Sequence, residues 1–199
     1  MTALDTLREP KKRTHRFTLA EYDSLVDLGF FEGKNVELLE GEIVVMSPQN
    51  PPHSWSTRNI ADVLGNAFGP EYLIFQHSQL SLSGNSEPEP DVAVVKGSKN
   101  DFWNAHPTTA ELVVEVSLSS YAKDRLQKAP IYARAGIPEY WIVNLLKNQL
   151  EILRTPRKES AKRYNYSSTS ILFPGETVSP LAKPKVKIAV SDLFPPIKK

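Results

Sequence analysis

Cysteine is absent from all 199 residues. That excludes disulfides, a thiolate nucleophile and thiolate-bound zinc. No run approaches the roughly 20 apolar residues of a membrane span. The opening stretch M-T-A-L-D-T-L-R-E-P-K-K-R lacks the apolar segment of an export signal. A large charge of one sign is missing too: 24 Lys and Arg against 23 Asp and Glu leave +1. The chain therefore has no global basic field of the kind that coats nucleic acid. Internal repeats and low-complexity segments are lacking as well. What remains is a globular protein, expected in the cytoplasm with no membrane contact.

With 40% hydrophobic and 24% charged residues, the chain can bury a sizeable core as one domain. Residues 1–16 read as a flexible arm and 17–199 as the domain. Positive charge is local. Lys11, Lys12, Arg13 and Arg16 cluster near the start, and Lys183, Lys185, Lys187, Lys198 and Lys199 near the end. A solvated tail or a phosphate-binding arm would each explain such clusters.

Thr18-Leu19-Ala20-Glu21 is a capping box, Leu19, Tyr22, Leu25, Val26 and Phe30 recur at helical spacing, and Gly29 sits where that helix should stop. V-E-L-L-E-G-E-I-V-V-M reads as a hairpin about Glu40-Gly41. Pro48, Pro51 and Pro52 suggest a loop before a helix from about His53 to Phe68. Strands are expected over Y-L-I-F-Q-H-S-Q-L-S-L, P-D-V-A-V-V, E-L-V-V-E-V-S and E-Y-W-I-V, with shorter antiparallel strands towards the end. A helix should run from about Ser120 to Ala135, kinked or broken by Pro130. The strand–helix–strand unit over 111–143, beside hairpin-like segments, predicts an α/β fold with a mixed sheet flanked by helices and additional antiparallel strands.

Glu115 is the anomaly. Val113, Val114 and Val116 around it predict burial, and an unpaired buried carboxylate costs several kcal/mol. Strand alternation places Val113 with Glu115, and Asp91 with Ala93 and Val95. If the two strands are neighbours, Asp91 and Glu115 converge, and a hard divalent cation resolves their repulsion. Asp91 also suits a strand start. Lys128, four residues after Asp124, suits a surface salt bridge, yet it shares a helix face with Ile131, Tyr132 and Ala135. By α-helical geometry Lys123 lies about 140° round from Lys128 and should point elsewhere.

Pro90-Asp91 followed by Glu115-Val116-Ser117 resembles the PD-(D/E)XK signature of restriction enzymes and related DNases. More closely, V-E-L-L-E-G-E-I-V-V-M-S-P, His53, P-D-V-A-V-V, V-V-E-V-S-L-S-S and D-R-L-Q-K-A-P-I-Y-A-R-A-G-I-P-E-Y-W-I-V are similar to the Uma-type family of restriction-endonuclease-like proteins. The similarity covers roughly residues 17 to 190.

The resemblance implies that Asp91 and Glu115 hold Mg²⁺ or Mn²⁺ with the carbonyl of Val116. Glu37 matches an early acidic position that would complete the coordination, although an exposed hairpin residue fits its sequence as well. Ser117 stands where the superfamily keeps its lysine, and Lys128 on the next helix would replace it. His53 matches a position near the substrate, with a structural role the alternative. Asn144 and Pro130 depart from the pattern. The implied activity is metal-dependent hydrolysis of DNA phosphodiesters, by a homodimer if both strands of a duplex are cut. A nuclease-like domain that binds nucleic acid or a protein partner without cutting, and a hydrolase of another phosphoester, are the rivals.

Overall fold

Turn chemistry fixes where the chain changes direction. The computed structural model describes residues 14–161 and 163–196. Lys11, Lys12, Arg13, Lys198 and Lys199, with most of the expected arm, lie outside them. Helix α1 (Leu19–Asp27) starts on the Thr18/Glu21 capping box and stops before Gly29, whose φ is 72°. Strands β1 (Val36–Leu39) and β2 (Glu42–Val45) pair antiparallel about Glu40 and Gly41. Both turn residues have positive φ, 49° and 82°, the geometry that suits the twist of a two-residue hairpin.

Helix α2 (Pro51–Phe68) begins two residues before its expected start. Asn50 caps it, accepting a hydrogen bond from the His53 amide at 3.1 Å. Pro51 and Pro52 occupy its first positions, where a missing N–H costs nothing, so they open the helix rather than a loop. Strand β3 (Tyr72–Gln76) is shorter than the apolar run suggests, because His77 turns the chain with φ 45°. Pro88 and Pro90 cannot donate to a ladder, and β4 (Val92–Lys96) begins immediately after Asp91.

After β5 (Leu112–Ser117), the expected single helix has three parts: α3 (Tyr121–Lys123), a π-helical turn (Asp124–Lys128) and α4 (Ala129–Arg134). The Ala129 amide donates to the Asp124 carbonyl, five residues back. Pro130 is the physical reason. It has no N–H to give and its ring crowds the carbonyl of Leu126, so the ladder widens instead of breaking.

Strands β6 (Glu139–Asn144), β7 (Gln149–Lys158) and β8 (Tyr164–Leu172) complete a six-stranded sheet ordered β3-β4-β5-β6-β7-β8. Only the β5–β6 pairing is parallel; the other four are antiparallel. A small pair, β9 (Thr177–Val178) with β10 (Ile188–Ala189), lies outside it. The architecture is the expected mixed sheet flanked by helices with extra antiparallel pairs.

Alternation divides the core. Val92, Val94, Leu112, Val114, Val116 and Trp141 pack against α2 and the C-terminal segment. Ala93, Val95, Val113, Tyr140 and Ile142 pack against α4 and Leu39 of the hairpin. The opposite face of the hairpin, Val36 and Leu38, covers α1 through Tyr22. All four β1 residues are therefore buried. Among the described residues no helix is long and apolar enough to cross a membrane.

The hairpin turn leaves no room for a side chain. A Cβ on Gly41 would meet Arg16 Cβ at 2.8 Å and the Phe17 carbonyl oxygen at 3.0 Å. Gly41→Ala should therefore destabilise the protein by more than about 1 kcal/mol, measured as a lower urea midpoint. An unchanged midpoint would mean that the hairpin is not held against residues 16 and 17.

Candidate active site

Glu115 sits in the middle of β5, with only 4% of its surface exposed. Its Oε1 accepts hydrogen bonds from Lys128 Nζ and from the Tyr132 hydroxyl, both at 2.8 Å. Burial pushes its pKa up against the pull of Lys128, and Asp91, Asp124 and Glu37 add to the rise. Lys128 is 3% exposed and also faces Glu37 Oε2 at 3.0 Å. Burial works against its charge, but Glu115, Glu37 and Asp124 outweigh that and raise its pKa, so it stays an ammonium. The Asp124–Lys128 pair does not lie on the surface: both are buried under the π turn.

Asp91 stands at the start of β4. The register Val92↔Val114 continues to set it opposite Glu115 on the neighbouring strand. Its Oδ2 accepts the Val116 amide at 2.7 Å, a side-chain bond across to the neighbouring strand. His53 Nε2 lies 3.2 Å from the same oxygen, and His77 Nδ1 lies 3.5 Å from Oδ1. Burial opposes ionisation of Asp91, but His53, the Val116 amide and Lys128 hold its pKa below the ordinary value. Burial likewise works against His53, and Asp91 together with the Val116 backbone overcomes it, raising the imidazole pKa. His77 moves the other way, lowered first by burial.

Glu37 is not an exposed hairpin residue; it is fully buried. Its Oε1 accepts from Lys123 Nζ at 3.0 Å, and its Oε2 accepts the Glu89 amide at 3.2 Å beside Lys128. Burial would raise its pKa, but Lys128 and Lys123 lower it on balance. Lys123 thus corrects the expectation that it points away from Lys128. The 140° separation assumes an α-helix, whereas residues five apart stack on one face of a π turn. Both lysines consequently reach Glu37.

These groups border a cavity of about 740 Å³, lined by Glu89, Asp91, Glu115 and Asp124, by Lys123 and Lys128, and by His53 and His77. Four acidic side chains face two ammoniums there. The backbone of Val116 lines it too, and Glu37 sits behind the lysines. His77, Glu89 and Lys123 were missed as site residues from sequence. His77 gave no signal, since a left-handed turn interrupts an otherwise strand-like run. Lys123 had one, in the proline two residues after Lys128.

A family model described as "Putative restriction endonuclease", Uma2, matches residues 19–191. The chain belongs to the Uma2 family. No curated protein is significantly similar to it in sequence. Among solved structures, a protein from Anabaena variabilis described as a putative nuclease of DUF820 superposes with a TM-score of 0.69 at 17% identity. The match covers 89% of this chain and 97% of that one, and it shows a shared fold.

Whether a divalent cation fits this Uma2 site follows from the donors. Among the described residues, no three His, Asp or Glu side chains converge into a closed metal cage. Mg²⁺ does not require one, because it is usually held by one or two carboxylates and keeps several waters. Asp91, Glu115 and the Val116 backbone supply oxygens beside a cavity with surplus negative charge, and the donor set fits. Glu37 has both oxygens engaged by lysines and the Glu89 amide.

Glu37 offers a stability test with a defined sign. Its folded pKa is depressed, so its contribution is present above the unfolded value near 4.5 and fades as pH falls through the lower folded one. Glu37→Gln should cost about 3–5 kcal/mol at neutral pH, the usual result of breaking a buried ion pair from one side. Urea midpoints should show the gap to wild type closing below pH 4.5. A gap that stays constant with pH would mean that charge is not what Glu37 contributes.

Proposed function

We propose that this Uma2 protein is a divalent-metal-dependent DNA endonuclease acting in the cytoplasm. The observation that carries the reading is the buried Lys128–Glu115 contact at 2.8 Å, made across from Asp91 on the adjacent strand. It supplies an ammonium beside an acidic pair although Ser117 stands in the superfamily's usual lysine position. Family membership and the nuclease-like fold support the same reading.

Asp91, Glu115 and the Val116 carbonyl would hold Mg²⁺ or Mn²⁺. Bound there, such a cation supplies Lewis acidity towards the scissile phosphoryl group and the attacking water. Lys128 places a fixed positive charge where negative charge develops in the transition state, in a buried setting where it is little screened. Tyr132 keeps Glu115 aimed by donating to the oxygen that Lys128 also uses. Glu37 gives Lys128 a second carboxylate partner at 3.0 Å. His53 orients Asp91 and borders the substrate space. The described residues hold one such centre, so cutting both strands of a duplex calls for a homodimer or two successive encounters.

The test combines binding and turnover. Mn²⁺ should raise the melting temperature, equivalent to about 2.7 kcal/mol at a hundredfold excess over Kd. Glu115→Gln should remove that shift and abolish cleavage of duplex DNA. Lys128→Ala should cut kcat on the order of 10²-fold or more, with the Mn²⁺ shift largely kept. A metal shift without cleavage of duplex DNA, single strands or RNA would favour a binding domain that does not cut. Cleavage confined to a generic phosphodiester would move the assignment to another phosphoester hydrolase.

A further inference from the structure

Lys123 and Lys128 share Glu37, but their surroundings differ. Lys128 is enclosed, with 3% of its side chain exposed and carboxylates at 2.8 and 3.0 Å. Lys123 has 29% of its side chain exposed and a single carboxylate contact, at 3.0 Å. Resting on the nuclease reading, we propose that Lys123 is its backbone-binding residue: the ammonium leaves Glu37 and takes a non-bridging phosphate oxygen of the nucleic-acid strand entering the cavity.

Three features carry this. Among the described residues, Lys123 and Lys128 are the two lysines that line the cavity, and no arginine lines it. Lys128 is committed to the acidic pair, which leaves Lys123 to offset the repulsion between a phosphate and Glu89, Asp91 and Asp124. Arg125, on the same π turn, is bound to Glu151 at 2.8 Å on β7. Finally, departure of Lys123 does not orphan Glu37, which keeps Lys128 and the Glu89 amide. The exchange is one ion pair for another, with no covalent step. Lys123 lines the same cavity as Asp91 and Glu115, so a phosphate held by it would set the register of the strand as well as its affinity.

The experiment is a salt series on duplex DNA with Mn²⁺, comparing wild type, Lys123→Ala and Lys123→Arg in KM, kcat and fluorescence-anisotropy binding. For Lys123→Ala the slope of log KM, and of log Kd, against log salt should shrink by about 0.9, the loss of one phosphate contact on B-form DNA. KM should rise by a larger factor than kcat falls, and Lys123→Arg should restore the slope. The Mn²⁺ melting shift should survive in both variants. An unchanged salt slope, or a lower melting temperature as the sole effect, overturns the assignment. A loss confined to kcat overturns it too, placing Lys123 in the chemistry. If wild-type protein binds DNA without cutting it, the nuclease reading fails while the Kd slope still decides Lys123. If it neither binds nor cuts, both fail.

Discussion

The structure around the cavity depends on one buried ammonium. Lys128 sits between Glu37 on the hairpin and Glu115 in the sheet, so three separate parts of the fold meet at one nitrogen. Removing Lys128 would leave two buried carboxylates without it, whereas removing either carboxylate leaves Lys128 the other as partner, and that asymmetry makes the ammonium the centre of the arrangement. It also explains why a hairpin residue far away in sequence is wholly enclosed. The hairpin packs its Leu39 against the sheet cluster and presents Glu37 on the same side, while Val36 and Leu38 close over α1. Hydrophobic packing brings Glu37 to the lysines, and the lysines make its burial tolerable.

The other half of the site is fixed by Asp91, whose carboxylate accepts the Val116 amide at 2.7 Å. That bond ties Asp91 to the strand of Glu115 and sets the two acids opposite each other, with His53 from α2 fixing the remaining direction. Parallel pairing of β5 with β6 then leaves the ends of both strands beside the helix that returns between them.

Much of this was legible in the residues. The capping box at Thr18, the Glu40-Gly41 turn and the strand–helix–strand unit are local patterns whose physics is complete within a few positions. Glu115 stood out because three valines around it predict burial, and Asp91 followed from strand parity. What sequence reasoning missed depended on non-local or non-standard geometry. The family resemblance marks Glu37 as a site residue, but its own sequence leaves an exposed hairpin position open, because partners such as Glu89 and Lys123 lie 52 and 86 positions away. Lys123 reaches Glu37 only because the segment it enters does not keep 3.6 residues per turn, which sequence periodicity does not announce. His77 lies where a left-handed backbone ends a strand early. No apolar period announces such a turn.

The π turn can also be regarded as the trace of an insertion. An α-helix that gains one residue, and absorbs it without unwinding, acquires one i→i+5 turn of this kind. Removing a single residue between Lys123 and Lys128 would let the segment return to ordinary α geometry with the flanking strands still in register. The two lysines would then stand four residues apart, a spacing that also shares one face of an α-helix, so both could still reach Glu37. Five residues across a π turn and four along an α-helix are thus equivalent ways to present the paired cation, whereas five along an unbroken α-helix set the two about 140° apart.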